Sequence, residues 1–204
     1  AYSHGIEWAV EAGDIKDAET CATWLTDLLN QGGPWSDAVL LAATHRAAEA
    51  KDDAALLDAA ELASVLSPSK ERKLETLKQG DAFLLAVKNA WPCEAVDCFA
   101  KIWPHETAFP VAVGAAGAGH KIALDSVLEA YLLAAVTNLV SAAVRLIPLG
   151  QTDGTKVVAR LTLLAREVAT RAARSTLDDV GGAAFRSDIA SMRHETQYTR
   201  LFRS

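Results

Sequence analysis

The chain has 204 residues, enough to bury a substantial core as one large domain or two small ones without disulfide or metal staples. Hydrophobic residues make up 50 % and charged residues 23 %, which excludes a disordered chain. Twenty basic against 26 acidic side chains give a net charge of -6, the wrong sign for a general nucleic-acid binder.

Alanine fills 40 positions against 12 Gly and 6 Pro, so composition alone favours an all-α protein. Ala18, Cys21, Ala22, Leu25, Leu28 and Leu29 recur at steps of three and four and predict a helix from about Asp17 to Asn30, ended by Gly32-Gly33-Pro34. Ser36 is the expected cap of a second helix carrying Val39, Leu40, Ala43, Ala47 and Ala50. Asp52-Asp53 should cap a third, running to about Leu66. Ser67-Pro68 reads as the start of a helix to about Ala90, and Trp91-Pro92 and Trp103-Pro104 bracket a short one. From Pro110 the small residues Gly114 to Gly119 predict close helix packing. The longest helix, about Leu124 to Ile147, is nearly apolar all round and is expected at the centre of the bundle, ending at Pro148. Another amphipathic helix covers about Thr155 to Ala173, with Val158, Leu161, Leu164, Ala165 and Val168 inward and Lys156, Arg160, Arg166, Arg171 and Arg174 outward. Leu177 to Ser187, with Gly181-Gly182, reads as a loop. The organisation expected is a single-domain helical bundle over residues 1–187 and a tail over 188–204 with too few spaced hydrophobes for a core of its own.

Three cysteines, Cys21, Cys93 and Cys98, with no signal-peptide pattern at the start, point to a reducing cytoplasmic compartment. Asp125, Glu129, Asn138 and Arg145 interrupt the most apolar stretch, so no membrane span is expected. Residues 145–204 hold nine Arg and Lys156 against six acids, a net of +4, which leaves -10 for the rest. That basic end suits an acidic protein partner as well as it suits ordinary solvated helix faces.

Familiar chemistries are missing. Gly114 to Gly119 lacks the Gly-Lys-Ser/Thr ending of a phosphate loop, and neither a serine elbow nor a His-Glu-x-x-His pair occurs. Cys93 and Cys98 have the wrong spacing for a zinc finger and read as incidental. The single histidines His4, His45, His105, His120 and His194 read as surface or capping residues, and the five tryptophans as core anchors and loop staples.

Two segments carry a resemblance. Arg145-Leu-Ile-Pro148-Leu-Gly-Gln151 resembles the Pro-Leu-Gly-Gln turn of the urease accessory protein F family. His194-Glu195-Thr-Gln-Tyr198-Thr-Arg200-Leu201-Phe202-Arg203-Ser204 is similar to that family's closing motif, His-Glu-x-x-Tyr-x-Arg-Leu-Phe-x-Ser. Gly5-Ile-Glu7, Trp8-Ala-Val-Glu11, Glu71-Arg72 with Glu75-Thr76 and Gly80, and Phe109-Pro110-Val111 with Gly114 extend the likeness over essentially the whole chain, with Tyr2 to Gly5 shorter than the family's usual segment.

The resemblance implies an all-helical, non-enzymatic scaffold for urease maturation. Such a scaffold assembles with the urease accessory D or H protein and with the nickel-handling accessory GTPase G, activates apo-urease and dimerises. Nickel and GTP would then be handled by the partners, with no cofactor bound directly. A stand-alone nickel-carrying metallochaperone is the alternative. Arg145, Pro148 and Gln151, with His194, Glu195, Tyr198, Arg200, Leu201, Phe202 and Arg203, are the expected partner-binding residues. The Arg145 guanidinium could instead pair with the free carbonyls of its own helix end, and the tail could instead dock on its own bundle.

Overall fold

A computed structural model describes residues 2–203; Ala1 and Ser204 lie outside the described residues. Among those described there is no strand. Ten α-helices follow in order: α1 (Ile6–Glu11), α2 (Ala18–Gln31), α3 (Gly33–Ala50), α4 (Asp53–Val65), α5 (Lys70–Ala90), α6 (Glu94–Ile102), α7 (Phe109–Gly119), α8 (Leu124–Leu146), α9 (Gln151–Ala172) and α10 (Phe185–His194).

Local chemistry explains most of these boundaries. Asp17 accepts from the Thr20 amide while Thr20 reaches back, a reciprocal cap on α2. Asp52 accepts from Ala55 N–H and caps α4 as expected. Two expected caps are displaced. Ser36 lies inside α3, which already starts at Gly33 because Pro34 fits a first turn whose amides have no partner. Ser36 is buried and its hydroxyl accepts from Gly181 N–H instead. Ser69, not Ser67, caps α5 by accepting from Arg72 N–H, so Ser67-Pro68 belongs to the preceding linker.

The helices divide the interior into two apolar clusters bridged by α3. One gathers Ile6, Ile15, Leu25, Leu29, Leu41, Leu128, Leu132, Leu139, Leu161 and Val168 from α1, α2, α3, α8 and α9 with the adjoining turn. The other gathers Leu40, Leu56, Leu84, Val96, Phe99, Val111 and Ala115 from α3 to α7. The expected close packing of the small-residue segment is present. A Cβ on Gly114 would stand 2.7 Å from the Leu41 carbonyl oxygen, and one on Gly80 only 1.9 Å from that of Thr107.

Three expectations change. The run Leu124–Ile147 is not the bundle's centre: Val127, Leu128, Leu132, Val136, Leu139 and Val140 face inward, whereas Ala130, Leu133, Ala134, Thr137 and Ser141 are exposed. By length and composition alone α8 could cross a membrane, but its inward face packs on α9 as a core helix does. Residues 177–187 are not all loop, since a 3-10 turn covers Leu177–Asp179 and α10 already starts at Phe185. The intervening strap is pinned, with the amides of Ala183 and Ala184 both donating to the Gln31 carbonyl. Finally, α1 was not expected as an element. Gly5 at φ 79 lets the chain turn into it, and a Cβ there would stand 2.6 Å from Ser191 N, so α1 and α10 touch backbone to backbone.

Gly80→Ala should therefore lower stability by about 1–3 kcal/mol through forced separation of α5 from residues 107–108. Gly33→Ala, with no atom closer than 3.8 Å to its Cβ, should be neutral or slightly stabilising. Urea unfolding of both variants measures the contrast.

Candidate docking site at the C-terminal segment

The first turn of α1 places Glu7 under the last residues of the chain. Its carboxylate is 7 % exposed and accepts from Leu201 N–H (2.6 Å), Phe202 N–H (2.9 Å) and His194 Nε2 (3.1 Å). On the other side of the imidazole, His194 Nδ1 lies 2.6 Å from Glu71 Oε2, and Glu71 Oε1 accepts from Arg200 Nη1 at 2.6 Å. Further ties flank this centre. Glu195 accepts from Lys70 N–H (2.7 Å), satisfying a free amide of α5, and the Ser69 and Ser191 hydroxyls pair at 2.7 Å. Gln197 donates to Glu11. The tail thus closes on its own bundle through polar groups, which buried sites require to be matched.

Beside it lies a second polar centre. Glu75, 1 % exposed, accepts from Arg72 and Gln79. His4 Nε2 is within reach of both Glu75 Oε1 (2.8 Å) and Arg72 Nη1 (2.6 Å), and it can donate to the first or accept from the second, one at a time. Asp37 accepts from Tyr131 Oη at 3.0 Å. Burial raises the Asp37 carboxyl above its usual range despite opposition from Arg72, and burial with the neighbouring Asp37 charge raises the Tyr131 phenol well above its own.

The predicted site residues fall into two groups. In the tail, His194 is fully buried and Phe202 is 6 % exposed, so both face the chain's own bundle. Tyr198, fully exposed, Leu201, 68 % exposed, and Arg200 and Arg203 face outward, with Glu195 partly covered. Residues 188–204, expected to have too few spaced hydrophobes for a core of their own, are tied to the bundle by a matched polar network. In the other group, Arg145, Pro148 and Gln151 are exposed at the α8–α9 turn. The Arg145 guanidinium makes neither the carbonyl cap open to it nor any ion pair among the described residues. No contact joins the two groups among the bonds described.

About half of the basic C-terminal part is matched within the chain. Arg160 pairs with Glu19, Arg166 with Glu129, Arg186 with Asp14 and Arg200 with Glu71, and Arg171 lies over the Trp35 ring. Arg145, Arg174, Arg193 and Arg203 make no ion pair among the described residues. The histidines differ from expectation, since His45 as well as His194 is wholly buried. His45 Nε2 lies 2.8 Å from the Ile122 carbonyl oxygen. Among the described residues no three His, Cys, Asp or Glu side chains converge on a point that could hold a metal ion. Cys21 is buried, and burial pushes its thiol up to about 11, while Cys98 is exposed.

Glu7, Glu71, Arg72 and Glu75 entered the sequence reading only as matches to a family pattern; nothing in their spacing announces burial. The one local signal is that Glu71 and Glu75, four residues apart, share a helix face with Arg72 beside it.

The UreF family model matches residues 15–162. The urease accessory protein UreF of Xanthobacter autotrophicus is 56 % identical over 204 residues, spanning all of this chain and 84 % of its own length. Those of Bradyrhizobium diazoefficiens and Rhodopseudomonas palustris are 52 % and 50 % identical, again over all of this chain and 84 % and 86 % of their lengths.

Glu7→Ala should cost roughly 3 kcal/mol or more, because it orphans two backbone amides and the Nε2 side of a buried imidazole at once. Limited proteolysis should then cut after Arg193 or Arg200 before any other site. In the intact chain at pH 8, thiol labelling should reach Cys98 at once and Cys21 only on global unfolding.

Proposed function

The chain belongs to the UreF family of urease accessory proteins, and on that premise we propose that it is a non-catalytic scaffold of urease maturation. It binds the accessory D or H protein and the nickel-handling GTPase G, and so couples GTP hydrolysis to nickel delivery into apo-urease. The observation that carries this reading is the two-sided tail. Glu7 and Glu71 hold its buried side, which fixes Tyr198, Leu201, Arg200 and Arg203 outward as an aromatic, aliphatic and guanidinium surface. Such a mixture suits a protein interface, and a fixed backbone lowers the ordering cost of binding.

Arg145, with its charge unmatched beside the exposed Pro148 and Gln151, is the second contact point, suited to a carboxylate or to a nucleotide held by the GTPase. A scaffold of this kind acts on GTP hydrolysis only through contact with the enzyme that binds the nucleotide. Self-association follows from α8. Its outward face offers Leu133 among the small residues Ala130, Ala134 and Thr137, which let helices approach closely, and α9 exposes Leu163 to 66 %.

The double variant Tyr198→Ala, Leu201→Ala should keep the parent's helix content and melting temperature, yet lose at least tenfold in capture of the accessory D or H protein. Unchanged capture would remove the tail from the interface. Leu133→Glu should convert a dimer to a monomer in sedimentation velocity; a parent chain that is monomeric at high concentration would contradict the α8 seam.

A further inference from the structure

Among the described residues two imidazoles are wholly buried, and while His194 holds the tail, His45 stands apart from it. His45 lies on α3 against α7 and the turn into α8. Gly117 makes room for the ring, since a Cβ there would stand 3.4 Å from His45 Cδ2. On one side of the ring, Nε2 is 2.8 Å from the Ile122 carbonyl oxygen. A carbonyl only accepts, so Nε2 carries the ring proton and the neutral ring presents a lone pair at Nδ1. That Nδ1 is buried and has no hydrogen-bond partner.

What faces Nδ1 is a carboxylate. Glu49 follows one turn later on α3, and its Oε2 lies 3.5 Å from Nδ1. Two acceptors thus point at each other, an arrangement that buried polar groups avoid, and the component missing between them is positive. No lysine or arginine within ion-pair distance of Glu49 supplies it among the described residues. A proton on Nδ1 would draw the pair to about 2.7–2.9 Å, the length of a charge-assisted hydrogen bond, and the gap is wider than that.

The gap fits a metal ion. Nitrogen and oxygen ligands stand about 2.0–2.2 Å from a zinc-type ion, and two such atoms 3.5 Å apart subtend roughly 113° at it, close to the tetrahedral angle. Independently of that distance, a ring N–H held by a backbone carbonyl is the outer contact that orients a metal-binding imidazole.

We propose that His45 Nδ1 and Glu49 Oε2 hold a divalent first-row transition-metal ion between them. The imidazole nitrogen selects ions such as zinc, cobalt or copper over magnesium and calcium, which take oxygen ligands. No third His, Cys, Asp or Glu converges there among the described residues, so water fills the remaining positions from the side of Glu49, whose side chain is 56 % exposed. Two protein ligands make an exchangeable site rather than a structural one. The assignment does not depend on the assembly role proposed above.

The test titrates cobalt(II) chloride into the chain carrying Cys98→Ser, which removes the exposed thiol, and follows paramagnetic broadening of the amide resonances. Saturable broadening centred on residues 45–49 and 121–123 is expected, with a Kd on the order of 0.1 mM for a site with two protein ligands, and zinc chloride should displace the cobalt. Glu49→Gln should weaken binding at least tenfold. Glu49→His, which puts a second imidazole on the same helix face, should tighten it about tenfold. Both changes fall on an exposed side chain and should keep the parental helix content by circular dichroism. Broadening centred on His105, or on His120 and Trp91, would overturn the proposal. So would affinity at residues 45–49 that Glu49→Gln leaves unchanged, or the absence of saturable broadening there at millimolar cobalt.

Discussion

The buried carboxylate of Glu7 decides how this chain ends. A carboxylate left in an apolar interior is strongly disfavoured, and Glu7 is tolerated because the last residues return to it with two backbone amides and an imidazole. The dependence runs both ways. Residues 195–203 have too few apolar side chains to stay folded by hydrophobic burial: Phe202 is the one apolar side chain among them that reaches the interior, alongside the polar Gln197. The two ends of the chain therefore hold each other, through α1 on one side and α5 on the other, and the outward side chains of the tail inherit their positions from that arrangement.

The rest of the bundle works by close approach rather than by large side chains. α3 and α7 pack along glycine and alanine, with Gly114 against the Leu41 carbonyl, which draws the two apolar clusters together around α3. Polar links then fix the ends of helices: Arg46 donates to the carbonyls of Ala173 and Ser175 beyond α9, and Trp35 Nε1 donates to the Asp179 carbonyl. These contacts hold the strap after α9 in place, and with it the start of α10.

Much of this could be read in the sequence where a local rule decides it. Helix stripes, the caps at Asp17 and Asp52, the Trp-Pro brackets of α6 and the tight Gly114–Gly119 helix all follow from residues within a few positions of one another. Where distant residues decide, no local pattern carries the outcome. Ser36 was free to leave its cap because Gly181 needed an acceptor, and Pro34 already suited the first turn. The outward face of α8 mixes Glu129, Asn138 and Arg145 with Ala130, Leu133 and Ala134, and the placement of α9 and α3 against the Val- and Leu-rich face separates the two. Burial of His194 depends on Glu7 and Glu71, 187 and 123 residues away, which no periodicity connects. The family resemblance marked those residues as a pattern without saying that they touch.

The central claim is that the tail is folded onto its own chain before any partner arrives, with one side buried and one side free. Residue-resolved amide hydrogen exchange on the isolated chain tests it directly. The Leu201 and Phe202 amides, bonded to a buried carboxylate, should be protected to the same degree as those of α10, while Thr199 and Arg200 exchange fast. Leu201 and Phe202 exchanging at the rate of an unfolded peptide, with α10 still protected, would mean that the tail is free in solution and that Glu7 does not hold it.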